Sequence, residues 1–289
     1  MLRVVIVSAF LLWSCNPKAQ DPPKNEDLKV EFSLPKKLKE VSGIALSKDK
    51  KTIWAIEDQG NKNVVYALDA QGKQVADVMV NDAENNDWED ITADPQGNIY
   101  IGDFGNNDNN RRNLAILKLD LKDTSQKSTN VIQTTRFRYE GQTEFPPKKS
   151  NWLYDCEAFV EMDGNFYLFT KNRSKGFDGT FLVFRIPNKK GDFEAKLIGQ
   201  LKLNGKYSDA AITSAAINST KDKIVLLTHK NIHVLSGFSP NEFNKAKIQK
   251  IPLNHNSQKE AIVFSNDETL LIADEKDKNT GGNVYRFSF

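Results

Sequence analysis

The sequence predicts an all-β chain folded as a ring of small sheets, and three observations carry that prediction. First, a short phrase recurs. It reads Ser42-Gly43-Ile44-Ala45, Trp88-Glu89-Asp90-Ile91, Asp155-Cys156-Glu157-Ala158, Ser214-Ala215-Ala216-Ile217 and Lys259-Glu260-Ala261-Ile262. Each copy is followed by a polar turn and a second apolar run: Ile53–Glu57, Ile99–Asp103, Phe166–Lys171, Ile224–His229 and Leu270–Asp274. Repeats of this period mean stacked or radial units. Second, each copy continues into further strand-like runs, and no convincing amphipathic helix interrupts them. Third, the count closes. Four repeats supply four strands each, the fifth supplies three, and one strand is spare at the N-terminus. A β-propeller of five four-stranded blades, closed by the N-terminal strand in the last blade, uses every strand and leaves no free edge. Six blades is the alternative if the long second repeat hides one.

The elements justify themselves in order. Met1-Leu2-Arg3 followed by the apolar run Val4–Leu12 is too short to span a bilayer and reads as a processed signal, residues 1–14. Leu12-Trp13-Ser14-Cys15 resembles a lipobox, which makes Cys15 the lipidation site. Residues 15–27, with Pro22-Pro23 and no apolar periodicity, form the lipidated tether. Residues 28–289 form one propeller domain. Leu28–Pro35 alternates apolar and polar residues and is the spare strand. Blade one continues with Asn63–Leu68 and Gln74–Val80, blade two with Leu114–Leu119 and Asn130–Phe137, and blade three with Thr180–Ile186 and Ala195–Leu201. Blade four takes Asn231–Leu235 and Ala246–Ile251, and blade five Asn283–Phe289. The repeat starts Ser42, Glu89, Glu157, Ser214 and Glu260 are 47, 68, 57 and 46 residues apart.

Composition narrows the function. With 40 basic and 38 acidic residues the net charge is +2, which argues against nucleic acid as a partner. If Cys15 carries lipid, Cys156 has no partner and reads as a small buried apolar residue. No Gly-x-Ser-x-Gly elbow, metalloprotease motif or phosphate loop is present. The expected protein is a monomeric outer-membrane lipoprotein of the cell envelope, attached to the membrane through the lipid anchor only and facing the periplasm or the cell surface.

In a propeller, the start of the first strand and the end of the second strand of each blade meet at one channel mouth. The mouth is therefore expected to gather Glu57, Glu89, Asp103, Asn106, Glu157, Glu260 and Asp274. Their oxygens suit Ca²⁺, which accepts irregular shells of about 6–8 oxygens. Only three histidines exist, and they are not clustered at zinc-ligand spacing. The same mouth is expected to carry Trp88, Trp152 and Tyr154 with Arg111, Arg112, Lys171, Arg173 and His229. Aromatics beside cations can hold an anionic or sugar-like small molecule, and the mouth could equally present itself to an envelope protein. For the tryptophans, the competing reading is core packing between blades; for the carboxylates, it is capping of strand turns.

The phrases Val41-Ser42-Gly43-Ile44-Ala45, Trp88-Glu89-Asp90-Ile91, Ile101-Gly102-Asp103-Phe104-Gly105-Asn106, Asp155-Cys156-Glu157-Ala158 and Lys259-Glu260-Ala261-Ile262 resemble exported bacterial propellers. The similarity is to the SdiA-regulated (YjiK-like) type and to the esterase-like phytase group. It implies a propeller with a Ca²⁺ site on the channel mouth, and it transfers no substrate. Two functions follow as expectations: an anchored propeller that binds Ca²⁺ and a ligand, or a Ca²⁺-dependent hydrolase of lactones, esters or phosphoesters.

Overall fold

The computed structural model describes residues 28–289 apart from residue 279. The signal, the tether and Cys15 lie outside the described residues.

Among the described residues, twenty-one strands run in sequence. They are β1 Lys29–Ser33, β2 Val41–Leu46, β3 Ile53–Glu57, β4 Val64–Leu68, β5 Gln74–Val80, β6 Trp88–Ala93, β7 Ile99–Asp103, β8 Leu114–Leu119, β9 Ser128–Thr129, β10 Val131–Tyr139 and β11 Asp155–Met162. There follow β12 Asn165–Lys171, β13 Thr180–Pro187, β14 Gly191–Lys202, β15 Ser214–Ile217, β16 Lys223–Leu227, β17 Asn231–Ser236, β18 Lys247–Pro252, β19 Lys259–Asn266, β20 Thr269–Asp274 and β21 Asn283–Ser288. A single helical turn, α1 Tyr207–Ala210, stands between β14 and β15.

Pairing groups the strands into five antiparallel units, β2-β3-β4-β5, β6-β7-β8-β10, β11-β12-β13-β14, β15-β16-β17-β18 and β19-β20-β21-β1. β1 pairs with β21, so the N-terminal strand completes the last unit. Burial grades from hub to rim. The first strands β2 and β11 are buried almost throughout, whereas the rim strands β5 and β10 alternate. That gradient is what a sheet covered on both faces at the centre and wetted at its edge requires.

Five apolar cores are shared between neighbouring units. Ile56 and Ile101 belong to the core of the first and second units, and Phe104 and Phe159 to that of the second and third. Val160 and Ile224 join the third and fourth, and Val225 and Ile272 the fourth and fifth. Ile44 and Leu271 share the last, which joins the fifth unit back to the first. The cycle of cores closes the propeller ring.

Two features depart from the sequence reading. β14 begins at Gly191 rather than Ala195, and its first half pairs in parallel with β10, which welds the rims of the second and third units into one eight-stranded sheet. The two-residue β9 pairs in parallel with β5, tying the long second unit to the first. Neither pairing leaves an apolar period, because both lie at the wetted rim. Cys156 is buried at the hub with Sγ 3.4 Å from the Ala158 carbonyl, as expected of a small core residue.

Gly43 marks where the inner strands approach most closely. A Cβ there would lie 2.7 Å from the Ile91 nitrogen and 3.0 Å from the Asp90 Cα, both backbone atoms that cannot swing aside. Gly43→Ala is therefore expected to destabilise the fold by about 1–3 kcal/mol, as overpacking does. Denaturant melts check this; an unchanged midpoint would show that β2 and β6 are free to separate.

Candidate functional site at the channel mouth

Four first strands carry a β-bulge at the same place. The register slips between Val41 and Gly43 in β2, Trp88 and Asp90 in β6, Cys156 and Ala158 in β11, and Lys259 and Ala261 in β19. The residues in the slips are Ser42, Glu89, Glu157 and Glu260. A bulge leaves its extra residue unpaired and re-aims the side chain. All four line one cavity of about 290 Å³ at the channel mouth. Ser214, in the regularly paired β15, is not among the lining residues; its hydroxyl donates to Asp90 Oδ1 at 3.2 Å. Asp90 also accepts from the Phe159 and Ile91 amides at 3.2 and 3.0 Å, so one buried carboxyl ties three first strands together. Burial pushes that carboxyl well above its ordinary range.

The cavity wall has a basic half and an acidic half. On the basic side, Lys171 Nζ lies 3.0 Å from Glu157 Oε2, and Arg173 Nη2 lies 2.7 Å from Glu157 Oε1. Arg173 Nε reaches Asp155 Oδ2 at 2.6 Å, and its Nη1 donates to the Tyr207 hydroxyl at 3.1 Å. Burial works against ionisation of Glu157, but Lys171 and Arg173 outweigh it and hold its carboxyl below the usual range. On the acidic side stand Asp58, Glu89, Glu260 and Glu275. His229 Nε2 lies 2.9 Å from Glu260 Oε1. The backbone of His229 is fixed as well, because the buried Lys259 donates to its carbonyl at 3.2 Å.

Burial, with the negative charge of Glu40 and Asp87 adding to it, pushes the Asp58 carboxyl up to about 7. Burial and Glu260 push that of Glu275 up to about 8. These groups hold protons in the folded chain that the unfolded chain has already lost. Their contribution to stability is full below the ordinary carboxylate range and disappears as pH rises through about 7 and about 8. The melting temperature is thus expected to fall between about pH 4 and about pH 8 and to level off above that, and Asp58→Asn with Glu275→Gln should flatten that fall. The same slope in the double variant would assign the pH dependence elsewhere.

Of the residues singled out from sequence, Glu89, Glu157, Lys171, Arg173, His229 and Glu260 meet at this cavity. Four others are not among its lining residues: Glu57, Asp274 and Asp103 are committed to their own blades, and Asn106 reaches across to the third. Glu57 accepts from the Lys39 amide at 2.9 Å and the Tyr66 hydroxyl at 3.0 Å, and Asp274 accepts from the Asn283 amide and the Tyr285 hydroxyl, both at 2.8 Å. These two carboxylates play one part in two blades, clipping the second strand to a tyrosine of the third. Asp103 pairs with Arg111 at 2.8 Å, and Asn106 bridges the Tyr154 carbonyl and the Arg111 amide.

The remaining candidates are held elsewhere. Trp88 is wholly buried between the first and second units, because a residue between Asp87 and Glu89 must point to the opposite face of its strand. The Arg112 guanidinium lies 3.9 Å over the Phe145 ring, and Trp152 Nε1 donates to the Pro147 carbonyl with Lys149 over the indole. Tyr154 packs with Tyr139 and Phe184. The aromatic that does line the mouth is Tyr207 of α1, which sequence reasoning missed along with Gln59 and Gln258. The one available signal was a tyrosine in the polar stretch after Gly205. Among the described residues, no group of three or more His, Cys, Asp or Glu side chains is arranged to hold a metal ion.

A ring of sheets with convergent charged groups at one channel mouth defines a β-propeller with a polar cavity at that mouth. The PQQ-bound form of an aldose sugar dehydrogenase from Streptomyces coelicolor is similar over 92% of this chain and 99% of that one, at 10% identity and a TM-score of 0.53. A gluconolactonase from Xanthomonas campestris is similar over 90% of this chain and 89% of that one, at 10% identity and a TM-score of 0.50. Likeness at this level concerns the fold. No protein-family model and no curated protein matches the sequence.

Proposed function

We propose that the protein is a cell-envelope lipoprotein, anchored through Cys15, whose channel mouth binds a small anionic or sugar-like molecule. The observation that carries this reading is the set of four bulges, which turn Ser42, Glu89, Glu157 and Glu260 into one cavity. Lys171 and Arg173 offer charged donors to a carboxylate or phosphate, and the carboxyls and amides opposite suit hydroxyl groups. The resemblance to the YjiK-like and esterase-like phytase propellers implies a propeller with a Ca²⁺ site at its mouth and transfers no ligand. Ca²⁺ belongs to this proposal on the acidic side, where Asp58, Glu260 and Glu275 repel one another. They form no ready-made shell, so the ion would be held jointly with oxygens of the ligand.

Calorimetric titration with aldonates, uronates and sugar phosphates, with and without Ca²⁺, tests the reading. Wild type should bind at least one of them, and Arg173→Gln should lose tenfold or more in affinity. Equal affinity in the variant would remove Arg173 from the site. For the anchor, Cys15→Ser should leave the membrane fraction and lose lipid label; a variant still labelled would refute lipidation at Cys15.

A second reading, hydrolysis of lactones, esters or phosphoesters, is favoured by the His229–Glu260 contact of 2.9 Å. A histidine oriented by a carboxylate at an open cavity can take a proton from water, an effect of about 10²–10⁴-fold. Lactones are the first substrates to try, given the gluconolactonase among the similar structures. Turnover that disappears in His229→Ala would establish it; no turnover across a panel with added Ca²⁺ would leave binding alone.

A further inference from the structure

We infer that Asp87 and Glu89 form a receptor for a cationic amine or guanidine group, so that the molecule bound at the mouth carries a positive centre as well as an anionic or hydroxylated one. The inference rests on the reading of the mouth as a small-molecule site.

Asp87-Trp88-Glu89 of the second blade and Asp155-Cys156-Glu157 of the third occupy one frame. Both pairs flank the same bulge, since Trp88 pairs with Asp103 ahead of Asp90 with Gly102, and Cys156 pairs with Thr170 ahead of Ala158 with Phe169. In the third blade, the frame is filled by the chain's own cations. Lys171 and Arg173 meet Glu157 at 3.0 and 2.7 Å, and Arg173 meets Asp155 at 2.6 Å. The same register places Phe104 at the position of Lys171 and Asn106 at that of Arg173. Phe104 is buried in the core, and the Asn106 side chain is spent on the Tyr154 carbonyl and the Arg111 amide. The nearby cation, Arg111, is committed to Asp103 at 2.8 Å and the Gly105 carbonyl at 2.7 Å.

Among the described residues, the second-blade pair has kept its carboxyls without a salt bridge to either; Arg111 and Lys171 act on Asp87 and Glu89 only by charge from a distance. Asp87 is 4% exposed; its side chain hydrogen-bonds to that of Glu89, and its Oδ1 has no hydrogen-bond partner. A buried oxygen left so keeps an uncompensated desolvation cost, larger when charged. Space is also kept open. A Cβ on Gly105 would stand 2.3 Å from Glu89 Oε1 and 2.4 Å from Asp87 Oδ2, so any side chain there would press on both carboxyls. Gly105 is not in the left-handed region, and room beside the two carboxyls is what it supplies. Glu89 itself lines the mouth cavity, which gives a ligand its way in. An ammonium or guanidinium reaching Asp87 and Glu89 from the cavity would reproduce what Lys171 and Arg173 do in the next blade. Amino sugars, amino sugar acids and basic amino acids have the required group.

The test is run in chelator with three probes: gluconate, its 2-amino counterpart glucosaminate, and glucosamine, which has the amine without the carboxylate. Wild type should prefer glucosaminate over gluconate by tenfold or more and should bind glucosamine. Asp87→Asn and Glu89→Gln, nearly isosteric and checked for folding by circular dichroism, should each abolish both effects, and Gly105→Ala should weaken them. Loss of gluconate binding in wild type with glucosamine binding intact would sink the anion half of the proposed function and leave this inference standing. Failure of glucosamine to bind wild type, or equal binding by wild type and both variants, would overturn it.

Discussion

Deleting residues 28–35 is expected to lower the melting temperature by about 10 °C or more, whereas deleting residues 16–27 should leave it unchanged. β1 is the outer strand of the last blade, with Val30 opposite Tyr285 and Phe32 opposite Val284. The Leu34 amide extends the ladder to the Gly282 carbonyl at 2.8 Å, and Glu31 grips Arg286 through both oxygens at 2.8 and 2.6 Å. Leu34 is buried in the core that joins the last blade to the first. Burial of one leucine contributes about 2 kcal/mol and each backbone hydrogen bond about 1 kcal/mol. The strand's loss should then cost on the order of 5 kcal/mol, and each kcal/mol moves the melting temperature of a chain this long by roughly 2–4 °C. The deletion would also bare the apolar edge formed by Val284, Tyr285 and Phe287. Equal melting of the two truncations would mean that the ring does not depend on its termini.

Glu157→Gln should be the most damaging substitution at the mouth. Glu157 takes Lys171 and Arg173 at once, and both Lys171 and Glu157 are buried. Removing one partner of a buried pair leaves the other charge uncompensated, at a cost of about 3–5 kcal/mol. The pair itself need not stabilise the fold to that extent, so Glu157→Gln combined with Lys171→Met should recover part of the loss. Chemical denaturation of the single and double variants measures this. A single variant as stable as wild type would show that water reaches the pair and that the mouth is wetter than its burial implies.

The fold was legible because a propeller repeats its own grammar. First strands read as apolar runs behind a polar residue, and the spare N-terminal strand followed from counting. Rim pairings such as β10 with β14 were not legible, since the rim alternates and carries no core. At the site, Glu89, Glu157 and Glu260 share one place in the phrase, and the bulge that recurs there brings all three to the cavity. The same alignment set Trp88 at the mouth; it lies in the core, since neighbours in a strand point to opposite faces. It also missed Asp87, two residues before Glu89 and on its face. The strand-end carboxylates Glu57 and Asp274 looked like ligands. Their use by Tyr66 and Tyr285 depends on third strands whose register no local pattern discloses.

The central claim is that bulged residues from separate blades make one binding site. The most direct measurement is chemical-shift mapping of isotope-labelled protein, with side-chain signals of Arg173 and His229 followed during titration with the tightest-binding sugar acid. The largest shifts are expected to fall together on Ser42, Glu89, Glu157, Lys171, Arg173, Tyr207, His229 and Glu260, all lining the one cavity. Shifts confined to the rim or to the opposite end of the channel, with these residues unmoved, would contradict it.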